Sequence, residues 1–328
     1  MASSPAAPVR PLRIVLPGGS GQVGQVLARH FQQRGHHVTV LTRGPYTAPW
    51  QTVHWDGDQI GPWTEHLEGA DVCINLAGRS VNCRYTAANR RAIYGSRIRT
   101  TSLLNSVIAA LADPPKVWLN ASTATIYRHA PDRPMDEKTG QLGGHEAGAP
   151  DTWNFSIRVA KDWESAFFAT PTPRTRKVAM RSAITFSPAP GNAFAIFSNL
   201  VRVGMGGSQG GGRQFVSWIH ESDFARAVEF LIAREDLDGP INIAAPHPLT
   251  NRDFMATLRE AWEVPNGLPI PSLFMEVGAF FLRTETELVL KSRRVIPARL
   301  LQAGFQFEFP YWSDAVEDLV RQWRRRDD

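Results

Sequence analysis

The chain has 328 residues, 43% of them hydrophobic, which is ample for a sizeable core in one large domain or two smaller ones. Its net charge is only +5, with 36 basic residues against 31 acidic ones. No nucleic-acid motif accompanies that slight excess, and two cysteines supply neither a disulfide framework nor metal-ligand spacing.

The start, "MASSPAAPVRP", lacks an apolar core and is expected to be a disordered leader over residues 1–11 rather than a secretory signal. The longest apolar stretch, "LFMEVGAFFL", is too short to span a bilayer. The expectation is a cytoplasmic protein that uses no metal, no nucleic acid and no membrane.

"LRIVL" at 12–16 reads as a buried strand, followed by a helix in which Val23, Leu27 and Phe31 recur every four residues until Gly35. "HVTVLT" at 37–42 is the next strand, so the opening is one strand–helix–strand unit. The alternation continues with a strand at 71–77, a long helix in "ANRRAIYGSRIRTTSLLNSVIAAL" and a strand at 116–122. A helix in "DTWNFSIRVAKDWESAFFA" and a strand in "KVAMRSAITFS" follow. Strands alternating with helices specify a doubly wound parallel sheet, a Rossmann-type α/β core over residues 12–187. Residues 188–328 then form a smaller, mainly helical substrate lobe. A strand and helix at about 215–245 return to the core. In this part "GMGGSQGGG" (204–212) is a loop expected to border the substrate pocket with Arg213, and Ser222 or Asp223 can cap the helix in "DFARAVEFLIA".

"LPGGSGQVG" places Gly18, Gly21 and Gly24 between the first strand and its helix. Gly18 permits the turn, Gly21 lets backbone approach a pyrophosphate, and Gly24 lets helix pack on sheet. Together with Gly19, Ser20, Gln22 and Val23 they form a phosphate-binding loop at a helix N-terminus. No acid precedes Asp56, so the second strand ends without the carboxylate that would accept from a ribose 2′-OH. It ends instead in Thr42 and Arg43. A guanidinium there suits a 2′-phosphate, which favours NADP(H) over NAD. Leu76, Ala77 and Gly78, in "INLAG", are expected beside the adenosine side of the cofactor.

These stretches, with "GSRIRTTSLL", "KDWE", "GGGRQFVSWIHESDFARAV" and "RVIPARLLQAGFQFEFP", resemble an atypical extended short-chain dehydrogenase/reductase. The likeness is to the epimerase-like family with its own short C-terminal domain, within the NAD(P)-dependent epimerase/dehydratase superfamily. The resemblance implies bound NADP(H) and a reacting carbonyl held by Ser122 or Thr123. It also implies a Tyr-x-x-x-Lys pair on the following helix. Lys161 matches the lysine of that pair, which the resemblance implies hydrogen-bonds the nicotinamide ribose, while Ile157 stands where the tyrosine belongs. Isoleucine cannot exchange a proton, so a substitute acid/base is needed near Ser122. Tyr127 is the first candidate, ahead of His129, His220 and Asp223. Two functions remain open: an NADP(H)-dependent oxidoreductase or epimerase, and a non-catalytic NADP(H)-binding redox sensor or scaffold. The sequence leaves substrate and oligomeric state undetermined.

Overall fold

A computed structural model describes residues 10–271 and 287–327. Most of the leader and the apolar stretch at 273–282 lie outside these residues. Seven strands form one sheet: β1 (Arg13–Pro17), β2 (His37–Thr42), β3 (Gln51–His54), β4 (Val72–Asn75), β5 (Val117–Thr123), β6 (Arg176–Ser182) and β10 (Gly239–Ile243). Their order is β10-β6-β5-β4-β1-β2-β3, and each neighbouring pair runs parallel. The strand order reverses between β1 and β4, which opens a crevice at the carboxyl ends of those strands. β3 is an edge strand with largely exposed side chains, so no apolar run announced it.

Helices α1 (Gln22–Gln33), α2 (Ala87–Ala110), α3 (Asp151–Phe168) and α5 (Glu221–Ala233) cover the sheet. On one face Leu27, Phe31, Phe224 and Val228 pack with Ile14, Leu16, Val40 and Ile74. On the other, Trp63, Leu104, Ile108 and Phe167 pack with Val15, Cys73, Trp118 and Ala179. The alternating side chains of each central strand serve both layers, which is why these strands are apolar throughout.

Two stretches expected as single strands are broken. "KVAMRSAITFS" divides at Ala183, whose N–H donates to Ile243 O at 2.9 Å. Beyond it β7 (Ile184–Phe186) leaves the main sheet to pair with β9 (Trp218–His220). "FVSWIH" divides at Ser217, the residue between β8 (Phe215–Val216) and β9, whose hydroxyl donates to Arg293 O at 2.7 Å. β8 pairs with β11 (Leu249–Thr250) instead. A second core gathers Phe186, Phe194, Trp218, Phe254, Trp312 and Leu319 from β7, β9, α4 (Ala193–Arg202), α6 (Asn251–Ala261) and the last helix, Trp312–Asp327. Helix α5 is capped by neither expected residue: the His220 ring accepts from Ser222 N–H at 3.1 Å. Asp223 is turned to the C-terminal segment, where it accepts from the N–H groups of Glu308 and Phe309.

Candidate functional site

The turn between β1 and α1 is made by backbone. Gly18 has φ +74°, and a Cβ there would lie 2.7 Å from the Ala77 backbone. A Cβ on Gly24 would lie 2.4 Å from Gly19 O, so only glycine lets α1 approach the turn this closely. Gly21 is different: its nearest neighbour would be 3.7 Å away, leaving open space above the N-terminus of α1. No side chain caps that terminus and its first turn holds no acid. The first-turn N–H groups therefore have no intrahelical acceptor and keep their positive end for an anion. Thr42, the last residue of β2, donates through its hydroxyl to Ser20 Oγ at 3.2 Å, and Arg43 beyond it is exposed. At the end of β4, Asn75 Oδ1 accepts from Ala77 N–H at 3.0 Å and fixes the turn into Gly78. These residues fit a dinucleotide: an open cradle, an uncapped helix end and a nearby exposed cation, Arg43.

A cavity of about 370 Å³ runs from this loop into the molecule. Val23, Leu76 and Gly78 line it together with Ser122, Thr123, Ser156, Glu287 and Arg293. Of the expected reacting residues, Ser122 and Thr123 lie on the wall. Helix α3 turns Ser156, Val159, Ala160 and Trp163 to the cavity. Ile157 is buried elsewhere, where a Cβ on Gly143 would touch its side chain at 2.8 Å. Lys161 leans the same way, with Nζ 3.6 Å from the Cβ position of Gly144. On this helix it is Glu164, not Lys161, that meets Ser122.

Two serines on this wall share a pattern. Ser122 Oγ donates to Glu164 Oε1 at 2.6 Å, and Arg181 clasps that carboxylate with bonds of 2.8 and 2.7 Å. Ser156 donates to Glu287 Oε2, and Arg293 donates to Glu287 Oε1 at 3.2 Å. Each serine spends its proton on a buried carboxylate and presents oxygen lone pairs to the cavity. Burial opposes the Arg181 charge, yet the Glu164 carboxylate raises its pKa above the ordinary guanidinium range. Burial dominates at Arg293 and lowers its pKa.

Tyr127 is not on the wall. Its hydroxyl donates to Asn242 Oδ1 at 2.9 Å and accepts from Arg181 at 3.0 Å, inside the core, where burial raises its pKa. The cavity tyrosine is Tyr85, whose hydroxyl lies 3.3 Å from Ser156 Oγ and whose pKa burial pushes up to about 12. His129 accepts from Ser292 N–H, and His220 is held at the α5 cap, so both rings serve structure. The glycine loop at 204–212 does not border the cavity; it lies against residues 267–270, and Arg213 is exposed. Sequence reasoning passed over Glu164, Arg181, Ser156, Glu287 and Arg293. Among the described residues no helix is long and apolar enough to cross a membrane, and no cluster of acids, histidines and cysteines could hold a metal.

Fold and cradle define a dinucleotide-binding α/β protein of the Rossmann class. Residues 14–147 match the NAD dependent epimerase/dehydratase family, and residues 270–319 match a domain of unknown function, DUF1731. The chain is 30% identical over 314 residues to the human epimerase family protein SDR39U1, covering 94% of this chain and all of the relative. It is 32% identical to an epimerase family protein of Mycobacterium tuberculosis, over 92% of this chain and 96% of that one. The crystal structure of human SDR39U1 (isoform2) with NADPH superimposes with a TM-score of 0.82 at 29% identity, covering 94% and 99% of the two chains. A nucleoside-diphosphate sugar epimerase from Corynebacterium glutamicum shares the fold, with a TM-score of 0.71 at 23% identity, covering 97% of this chain and 67% of that one. The protein belongs to the SDR39U1-like epimerase family, with a C-terminal DUF1731 domain.

Proposed function

We propose that this protein is an NADP(H)-dependent oxidoreductase or epimerase of atypical short-chain type, acting on a carbonyl or carbinol. The observation that carries the reading is the single cavity joining the uncapped α1 terminus to Ser122. When bound, NADP(H) supplies or takes up a hydride at nicotinamide C4. The α1 terminus holds the pyrophosphate, and Arg43 meets the 2′-phosphate. The NADPH in the SDR39U1 structure supports that cofactor choice. Ser122 and Thr123 hold the reacting oxygen. Because Ser122 already donates to Glu164, its oxygen accepts from a substrate hydroxyl and orients the carbinol carbon. A proton leaving that hydroxyl passes to Ser122 as the serine proton moves to Glu164.

The second reading is a non-catalytic NADP(H)-binding sensor. It is favoured by the fixed Tyr127 hydroxyl and by the isoleucine at 157. Two readouts together separate them, each on the wild type and Ser122→Ala: NADPH consumption with a panel of carbonyls, and conversion of sugar nucleotides to their epimers in the presence of NADP⁺, followed by chromatography because the hydride returns to the substrate and no cofactor is consumed. The enzyme reading expects turnover that falls about a hundredfold in the variant, the scale of a positioned proton-transfer group. Tight NADPH binding without turnover of any panel member would select the sensor.

A further inference from the structure

Arg97 stands on the cavity wall without an acidic partner. It lies one helical turn after Ile93 on α2, and its guanidinium sits over the Trp163 indole, 5.1 Å from the ring centre. Its Nη1 group donates to the carbonyls of Arg79 and Ile93, at 3.0 and 3.1 Å. Among the described residues neither Nε nor Nη2 makes a hydrogen bond, and no carboxylate lies within ion-pair distance. The other charged groups of the cavity, Glu287 and Arg293, are paired with each other. Burial lowers the Arg97 pKa to about 10, which still leaves it charged at neutral pH. A half-buried cation on a cavity wall without a counter-charge is available to the anion of a ligand.

We propose that Arg97 binds the carboxylate of the substrate, and that the substrate is a small molecule with an apolar body and one carboxylate. This rests on the dinucleotide reading above, because that reading already gives each cofactor phosphate a partner. The pyrophosphate has the α1 terminus and the 2′-phosphate has Arg43. What Arg97 has left, the Nε–Nη2 edge, is a planar two-donor fork that matches a carboxylate. Val81, Tyr85, Phe155, Val159, Met180 and Phe224 surround the remaining space and suit an apolar body. The competing source of an oxyanion is the cofactor itself, because the guanidinium carbon lies 3.2 Å from the Cβ position of Gly78.

Calorimetry with two probes of one shape distinguishes these sources. Phenylacetate and its neutral amide are titrated into the NADP⁺-loaded protein, and NADPH is titrated separately, for wild type, Arg97→Met and Arg97→Lys. The expected result is that wild type prefers the acid to the amide by about tenfold or more, the scale of a charge-assisted hydrogen bond. Arg97→Met then loses the preference, Arg97→Lys keeps part of it, and NADPH affinity stays the same in all three. Equal binding of acid and amide by wild type, or binding of neither, overturns the proposal. So does a comparable loss of NADPH affinity in Arg97→Met, which would assign the guanidinium to a cofactor phosphate. If Arg97→Met fails to fold, the lysine variant decides the matter, since a point charge forfeits the bidentate part of the preference. Should wild type not bind NADPH at all, the dinucleotide reading falls; the two probes, titrated without cofactor, then judge Arg97 alone.

Discussion

The two serine–glutamate–arginine groups on the cavity wall use the same chemistry in different architectural settings. Ser122, Glu164 and Arg181 come from β5, α3 and β6, adjacent elements of the nucleotide-binding core. Ser156, Glu287 and Arg293 join α3 to the C-terminal segment across 131 residues of chain. The first group is bolted into the central sheet and shares Tyr127 and Asn242 with it. The second fastens one part of the molecule to another. A buried ion pair in a sheet can relax only if the sheet opens; one at a junction can relax by local detachment.

That contrast sets the size of the expected effects. Arg181→Met leaves Glu164 charged and buried, and urea unfolding should register a loss of about 3–5 kcal/mol. Replacing both partners, as Glu164→Leu with Arg181→Met, should recover most of it, because an apolar pair of similar volume often matches a buried ion pair. A double variant as unstable as the single one would mean that the bond to Tyr127, not the ion pair, holds this region. Arg293→Met should cost less, about 1–3 kcal/mol, since Glu287 can reach water when its segment lifts. Hydrogen exchange should then accelerate at residues 289–296 and leave β5 and β6 protected. Equal acceleration in the sheet would erase the distinction between the two groups.

A smaller effect concerns Lys291, which is buried beside the second group with Nζ donating to Thr125 O at 2.8 Å. Burial, then the neighbouring Arg293, lowers its pKa from 10.5 to about 7. Between those values the unfolded chain holds a proton that the folded chain has released, so this lysine makes stability rise with pH, by at most about 1.4 kcal/mol per unit. Below pH 7 both forms are charged and the penalty is complete. Lys291→Met should flatten the dependence between about pH 7 and 10; an unchanged slope would place the titration elsewhere. The smallest effect is expected at Lys161, which lies off the cavity wall. Lys161→Ala should change stability by no more than about 0.5 kcal/mol and leave NADPH affinity intact. A clear loss of affinity would restore the lysine to the ribose, as the spacing from Ile157 suggested.

The nucleotide end of the site was legible in the sequence because its demands are local. A turn that admits no Cβ at Gly18 or Gly24 can be met only by glycine, and the residues concerned are contiguous. The reacting end joins each serine to its carboxylate across 42 and 131 residues, which no spacing rule connects. Glu164 was passed over because its partners Ser122 and Arg181 stand on other elements, 42 and 17 residues away. The side of α3 that meets Ser122 runs through Ser156, Ala160 and Glu164. Small Ala160 is the feature that could have revealed it, since it lets the helix lie close to the strand below. His220 as a helix cap was hidden for another reason: imidazole is an uncommon acceptor there, and the usual serine and aspartate stood one and two places beyond.

The position of β10 has a consequence for how the molecule can be divided. That strand forms the outer edge of the main sheet against β6, yet the chain reaches it only after passing through α4, β8 and β9. A fragment ending at residue 187 would keep the cradle but present β6 as a bare, apolar edge, open to pairing with other chains. The nucleotide-binding part therefore cannot be excised by a single cut. Limited proteolysis between β6 and β10 should yield nicked chains that stay associated, and heating should melt both cores in one transition.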